Sequence, residues 1–345
     1  MTPLWNAQDV PFWGNAAVFA GAGVIVWATG TRLARYVDGI SGQTRLGHAV
    51  LGMLLLGTIT SLPEVANVAT SAVIGNPGLG INNLLGSAAI NVLLLAIVDA
   101  FVGRDAATSV VVNPSTLMMG TLCTLLLIAV AAAVVVGDVP IFGVGLGAVL
   151  LCAASIVFFW MAAEYDKRAP WVVRDRGARR RGEPGAVELS FAALVWRTAI
   201  ASVIIFAAGY SLSQTGDAIA EQTGIGSGMV GFALIGIATS LPELSAITAA
   251  FRIRRYEMAF GQVLGTNFIN LALILLSDLC FAGGPVINEL GRFEVLSALL
   301  GATVTGVLVI GLLERRNPTV MRMGYDSLAI IVLFFCGLGL LATIS

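Results

Sequence analysis

The sequence predicts an all-α polytopic membrane protein of ten transmembrane helices arranged as two inverted five-helix repeats. Three observations predict it. Of the 345 residues, 57% are hydrophobic and 11% charged, with a mean hydropathy of +0.91, whereas a soluble domain carries roughly 25% charged residues. The apolar residues fall in long blocks, such as Leu117–Val136, Ile141–Ala163 and Ala329–Ile344, and a membrane span needs about 20 such residues. Motifs of the first half of the chain also recur in the second at a constant displacement of 179 residues.

The blocks give spans near 13–33, 47–74, 78–101, 114–136, 140–163, 190–212, 226–251, 256–281, 294–313 and 325–344. Lipid offers no hydrogen-bond partner to the backbone, so each is read as a helix. The first block is long enough to span and lacks a basic leader region, so no cleavable signal peptide is expected. If the N-terminus faces outward and the spans alternate, eighteen of the nineteen Lys and Arg residues fall on the inner side and Arg292 alone falls outside. That asymmetry is the positive-inside rule, and one span more or fewer would scramble it. Both termini are therefore expected outside, in an inner (plasma) membrane of bacterial type.

A net charge of −1 gives no reason to expect a nucleic acid or other polyanion as partner. The least apolar stretch, Glu164–Glu188, is rich in Arg, Pro and Gly and reads as a cytoplasmic linker, 165–189. Its basic residues could touch anionic lipid, although topology alone requires them on that side. The linker divides a first repeat, 1–164, from a second, 190–345, whose matching cores are 52–101 and 231–280. Cys123, Cys152, Cys280 and Cys336 lie in or at the ends of apolar spans without paired spacing and read as small buried hydrophobes.

GTITSLPE at Gly57–Glu64 recurs as GIATSLPE at Gly236–Glu243, and LLGSAAIN at Leu84–Asn91 as VLGTNFIN at Val263–Asn270. Asp99 and Asp278 keep the same spacing, as do Gly52 and Gly231. Five spans is an odd number, so the second copy is upside down relative to the first. Inverted repeats with sites at their interface are a transporter architecture.

Glu64 and Glu243 fall near the middle of the second and seventh spans, where a carboxylate costs roughly 2.5–3.5 kcal/mol on insertion scales. No Lys, Arg or His lies in the apolar core of any span, and His48 reads as an interfacial residue at a helix end, so the pair is expected to face a cation or a polar cavity. Thr60 and Ser61 share the helical face of Glu64, and Thr239 and Ser240 that of Glu243. Pro63 and Pro242 cannot donate a backbone hydrogen bond, which frees carbonyls near Ile59 and Ala238. Ser87 and Asn91 on the third span, and Thr266 and Asn270 on the eighth, are i, i+4 pairs. All of these are hard oxygen donors, which suit sodium or calcium rather than a soft metal. The chain is read as a transporter and not an enzyme, with no catalytic residues and no cofactor; Na+ and Ca2+ are its cargo and the bilayer its solvent.

These residues resemble the two α-repeats of the calcium/cation antiporter superfamily, and within it the sodium/calcium exchangers. The resemblance implies ion ligands at Thr60, Ser61, Glu64, Ser87 and Asn91 and at Thr239, Ser240, Glu243, Thr266 and Asn270. It adds the backbone carbonyls of Gly57 and Gly236. It also implies antiport of Na+ against Ca2+ by alternating access, with proton/calcium exchange as the alternative and a cation channel or sensor behind it. Some members carry aspartate where Asn270 stands, and the asparagine argues against potassium co-transport. Gly226–Gly231 matches GxGxxG but opens a span with no preceding strand, so it is no nucleotide loop. Gly143, Gly145 and Gly147 are expected to allow close helix packing. Asp99 and Asp278 are expected either to reach headgroup water or to form acidic vestibules at opposite faces.

Overall fold

The computed structural model describes residues 7–44, 48–102, 107–111, 113–168, 189–223, 230–314, 319–320 and 323–344. Most of the linker, 169–188, lies outside them, as do 226–229 of the glycine-rich match.

Helix α1 is Phe12–Gln43, and α2, His48–Thr60, contains a π-helical turn at Gly52–Gly57. After a break at Ser61 the chain continues as α3, Leu62–Val73, then α4, Pro77–Val102, and α5, Pro114–Val136. Strands β1 (Pro140–Ile141) and β2 (Val144–Gly145) form an antiparallel pair that leads into α6, Leu146–Arg168. The second half opens with α7, Phe191–Thr223, followed by α8, a π turn Val230–Ile235 that runs on into Gly236–Thr239. Next come α9 (Leu241–Arg252), α10 (Tyr256–Cys280) and α11 (Arg292–Glu314). A second pair, β3 (Thr319–Val320) with β4 (Met323–Gly324), leads into α12, Tyr325–Leu341.

Seven of these helices are long and apolar enough to cross a membrane, and the bent pair α2–α3 makes up to eight. The chain is helical as expected, with a two-residue β pair before each of α6 and α12. The displacement of 179 seen in the motifs extends through the elements: α1 and α7, α3 and α9, α4 and α10, both β pairs, and α6 and α12 start at residues that far apart.

Helices α4 and α10 form the centre, with 78% and 61% of their most apolar stretch buried inside the protein. Helices α1 and α7 pack on one another at the periphery and bury 28% each; α6 buries 22%. Glycines allow the central contacts. A Cβ on Gly86 of α4 would strike the backbone of Phe232, and one on Gly265 of α10 would strike the backbone and side chain of Met53. The two contacts are the same contact twice, since each partner is displaced by 179. Each repeat therefore lays the π turn of its broken helix on the straight central helix of the other.

Four local expectations change. Asp99 and Asp278 are 2% exposed and reach neither headgroup water nor a vestibule. Asp278 accepts from Val286 N (2.6 Å) and Gly145 N (2.6 Å), and Asp99 from Ala107 N (2.8 Å) and Ser327 Oγ (2.9 Å), with the Gly324 N–H also directed at it. Each aspartate ties the segment eight residues ahead to the β hairpin of the other half, which explains their common spacing. His48 is not merely interfacial: its Nε2 lies 3.1 Å from Asp38 Oδ1, which also accepts from Arg255 Nε. Gly143 and Gly145 lie in the first hairpin rather than at a helix interface, and Gly143 has φ +84°, a conformation glycine adopts without strain. Gly147 approaches the Asp138 side chain. Of the cysteines Cys123 is buried and Cys336 exposed, the latter on an apolar helix face.

Candidate functional site

The breaks at Ser61 and Ser240 arise from local chemistry. Pro63 and Pro242 enter the second position of α3 and α9, where a missing N–H is tolerated, but neither can bond the carbonyl four residues back. Hydroxyls beside the first break also bond back to carbonyls one turn earlier. Thr60 Oγ1 donates to Leu56 O (2.8 Å) and Ser61 Oγ to Gly57 O (2.8 Å), back-bonds that bend helices. The result is a 43° bend between α2 and α3. In the second repeat Ser240 N donates to Gly236 O (3.1 Å) while Ser240 Oγ has no hydrogen-bond partner. The π turns just before these breaks were not foreseen, and such turns recur at functional sites.

The bends bring Glu64 and Glu243, each 0% exposed, into mutual electrostatic contact across the repeat interface. Ser87 Oγ, from α4, donates to Glu64 Oε1 (3.4 Å) and lies 3.4 Å from Thr239 Oγ1 of the other repeat. Thr239 also faces Glu64, and Thr60 faces Glu243. The Thr60 proton is engaged by Leu56 O, so its hydroxyl offers a lone pair on the Glu243 side. The arrangement is thus crossed, each carboxylate meeting a hydroxyl of the opposite half.

The remaining candidates are also buried at this level but are not all joined. Thr266 Oγ1 lies 3.4 Å from Gly57 O, which also takes Ser61 N (3.1 Å). Gly57 itself presses on α10, where a Cβ would sit 3.0 Å from Thr266 N. Asn91 Nδ2 points to Asn267 Oδ1 (3.4 Å), and Asn270 makes no hydrogen bond. Among the described residues no hydrogen bond links Ser61, Ser240, Asn91 or Asn270 to either glutamate. Six acceptor oxygens here are buried without a donor: Glu64 Oε2, both Glu243 oxygens, Asn91 Oδ1, Ser240 Oγ and Asn270 Oδ1. Leaving a buried polar group unsatisfied costs about 1–3 kcal/mol, a cost that a cation held among these oxygens would offset. There is no group of three or more His, Cys, Asp or Glu among the described residues. Any cation would meet two carboxylates and neutral oxygens.

The structure adds residues that the sequence reading passed over. Asn83 accepts from Thr239 Oγ1 (3.1 Å) and donates to Asn67 Oδ1 (3.1 Å), and Asn267 donates to Ala88 O (3.1 Å). Gln262 is 0% exposed, and neither of its side-chain polar atoms has a partner. A signal for two of these existed: Asn83, Ser87 and Asn91 are spaced i, i+4, i+8, as are Gln262, Thr266 and Asn270, so each central helix carries a three-residue polar stripe.

The profile of the family described as sodium/calcium exchanger protein matches residues 14–163 and 193–343. The putative antiporter CaxA of Alkalimonas amylolytica is 24% identical over 308 residues, 87% of this chain and 91% of that protein. The sodium/calcium exchanger MaX1 of Methanosarcina acetivorans is 31% identical over 121 residues, 34% of this chain and 33% of that protein. In fold, the chain is similar to the sodium-calcium exchanger NCX_Mj soaked with Na+ and Ca2+, at a TM-score of 0.66 and 16% identity over 94% of this chain and 97% of that one. With its long apolar helices, the chain is an integral membrane protein and belongs to the sodium/calcium exchanger family.

Proposed function

We propose that this protein exchanges Na+ for Ca2+ by alternating access at a site between two inverted five-helix halves, 1–164 and 190–345, joined by the 165–189 linker. The observation that carries the reading is the facing pair Glu64 and Glu243, buried without a basic partner and surrounded by acceptor oxygens that lack donors. Its ligands would be Glu64, Glu243, Thr60, Ser61, Ser87, Asn91, Thr239, Ser240, Thr266 and Asn270, with the carbonyls of Gly57 and Gly236. The names of the relatives agree with a cation antiporter. Ten spans with both termini outside accord with the positive-inside count.

Exchange follows from electrostatics. Two carboxylates neutralise one Ca2+ or most of the charge of a few Na+ ions, so the two cargoes compete. An ion-free site would hold two negative charges away from water, a state that desolvation makes expensive by several kcal/mol per ion. Reorientation between the two faces is therefore easy only when a cation is held, and this couples one ion's exit to the other's entry. The hydroxyls that close on Gly57 and Leu56 carbonyls can turn toward a cation without moving the helices.

Calcium-45 uptake into proteoliposomes with imposed Na+, K+ or proton gradients tests this. The expected result is uptake driven by Na+ and indifferent to K+. A coupled pair of buried carboxylates can also carry protons, so uptake driven by a pH gradient without Na+ would replace this reading with proton/calcium exchange. Calcium current without a counter-ion would replace it with a channel.

A further inference from the structure

We propose a second cation site, formed by Asp99, Asp326 and Ser327 where α4 meets the start of α12, that takes a hard cation such as Ca2+. The inverted repeat supplies the comparison. Each half ends its β hairpin next to two aspartates. At the β1–β2 hairpin these are Asp278 and Asp138, and backbone amides satisfy all four oxygens. Asp278 takes Val286 N and Gly145 N at 2.6 Å each, while Asp138 takes Val139 N (2.8 Å), Gly147 N (2.6 Å) and Ala148 N (3.3 Å).

At the β3–β4 hairpin, Asp99 takes the place of Asp278 and keeps its cap, with Ala107 N at 2.8 Å. The second aspartate differs. Asp326 occupies the position that Gly147 holds in the first half, in the first turn of α12. It is 8% exposed, and neither carboxylate oxygen has a hydrogen-bond partner. It is close enough to Asp99 for the two charges to repel, and the next residue, Ser327, donates from Oγ to Asp99 Oδ2 (2.9 Å). Gly311 of α11 makes the room, because a Cβ there would run into the Asp326 carboxylate. No Lys, Arg or His pairs with either aspartate among the described residues.

A helix N-terminus favours an anion, but Asp138 sits against the equivalent helix start and still collects three amides. Asp326 collects none, so the dipole alone does not account for it. Breaking the compensation of a buried charge is strongly destabilising, and two carboxylates with a hydroxyl and no soft donor define the class of ion that restores it. This site stands apart from Glu64 and Glu243 in the fold and does not depend on which ions the central site moves.

The test is equilibrium Ca2+ binding to the full-length purified protein, with excess Mg2+ present to suppress adventitious sites. The double variant Glu64→Gln/Glu243→Gln is expected to retain one bound Ca2+ per chain, and adding Asp326→Asn is expected to remove it. Should Asp326→Asn not fold, Asp326→Gly puts the residue of the symmetry-related position there and serves the same purpose. Two outcomes overturn the proposal: no residual Ca2+ in the folded double variant, which would mean a proton neutralises Asp326, or residual Ca2+ that Asp326 variants leave unchanged. Transport surviving in the double variant would instead overturn the central assignment. The Asp326 comparison would then be made on the wild-type background, with loss of one Ca2+ per chain still expected.

Discussion

Replacing Glu243 with Gln keeps the shape of the side chain and removes one of two facing charges. Glu243 is fully buried, and neither carboxylate oxygen has a hydrogen-bond donor, so the substitution breaks no intraprotein hydrogen bond of the carboxylate. Its effect on a bound cation is large: removing one partner of a buried ion pair costs about 3–5 kcal/mol. At about 1.4 kcal/mol per decade, Ca2+ affinity should fall by roughly two to three and a half orders of magnitude, and exchange should be abolished at ordinary Ca2+ concentrations. The ion-free protein should respond in the opposite direction. Two buried like charges in electrostatic contact repel one another, so Glu243→Gln should raise the melting temperature without ions while losing the stabilisation that Ca2+ gives the wild type. Glu64→Gln should behave in the same way, tempered by loss of its Ser87 contact. Sodium-driven calcium-45 flux in proteoliposomes and thermal unfolding with and without Ca2+ make both measurements. Near-normal flux in either variant, or a fall in ion-free stability with Ca2+ stabilisation intact, would refute the reasoning.

Two further predictions test the frame around the site. Asp278→Ala leaves the Val286 and Gly145 amides without their acceptor; at about 1.5–3 kcal/mol for each hydrogen bond to a charged group, unfolding should shift by roughly 3–6 kcal/mol, while apparent cation affinity from either face of oriented vesicles stays unchanged. A one-sided change in affinity that fades with salt would restore the vestibule reading. Gly86→Ala places a methyl against the Phe232 backbone, which cannot rotate away, so it should cost about 1–3 kcal/mol as overpacking and cut exchange. The half-buried Gly306→Ala, with open space where its Cβ would stand, should do neither, and equal behaviour of the two in thermal unfolding would contradict the close helix contact.

Much of this protein is legible from sequence because a bilayer imposes simple rules. Backbone groups must bond internally in lipid, so apolar block lengths mark out helices within a few residues. α4, Pro77–Val102, is an example, expected near 78–101. The duplicated TSLPE segments were equally legible as helix breaks, since a proline there cannot bond the preceding turn. Helix ends that leave the apolar region were harder. α1 and α7 run on to Gln43 and Thr223, well past the expected ends near 33 and 212, because hydropathy does not measure a helix that continues beyond the hydrocarbon. Residue type and spacing also could not say that Asp99 and Asp278 are buried caps, since their partners Ser327 and Gly145 lie 228 and 133 residues away.

By itself, the sequence determined the helical membrane class and the recurrence of its motifs, because each of these depends on composition or on spacing along the chain. Only the tertiary structure decided which groups face each other. The crossed contacts of Thr60 with Glu243 and Thr239 with Glu64, the π turns resting on Gly86 and Gly265, and the contrast between a capped Asp138 and an uncapped Asp326 all depend on elements far apart in the chain. Helix packing fixes such pairs through the shapes of whole faces, so no local pattern encodes them.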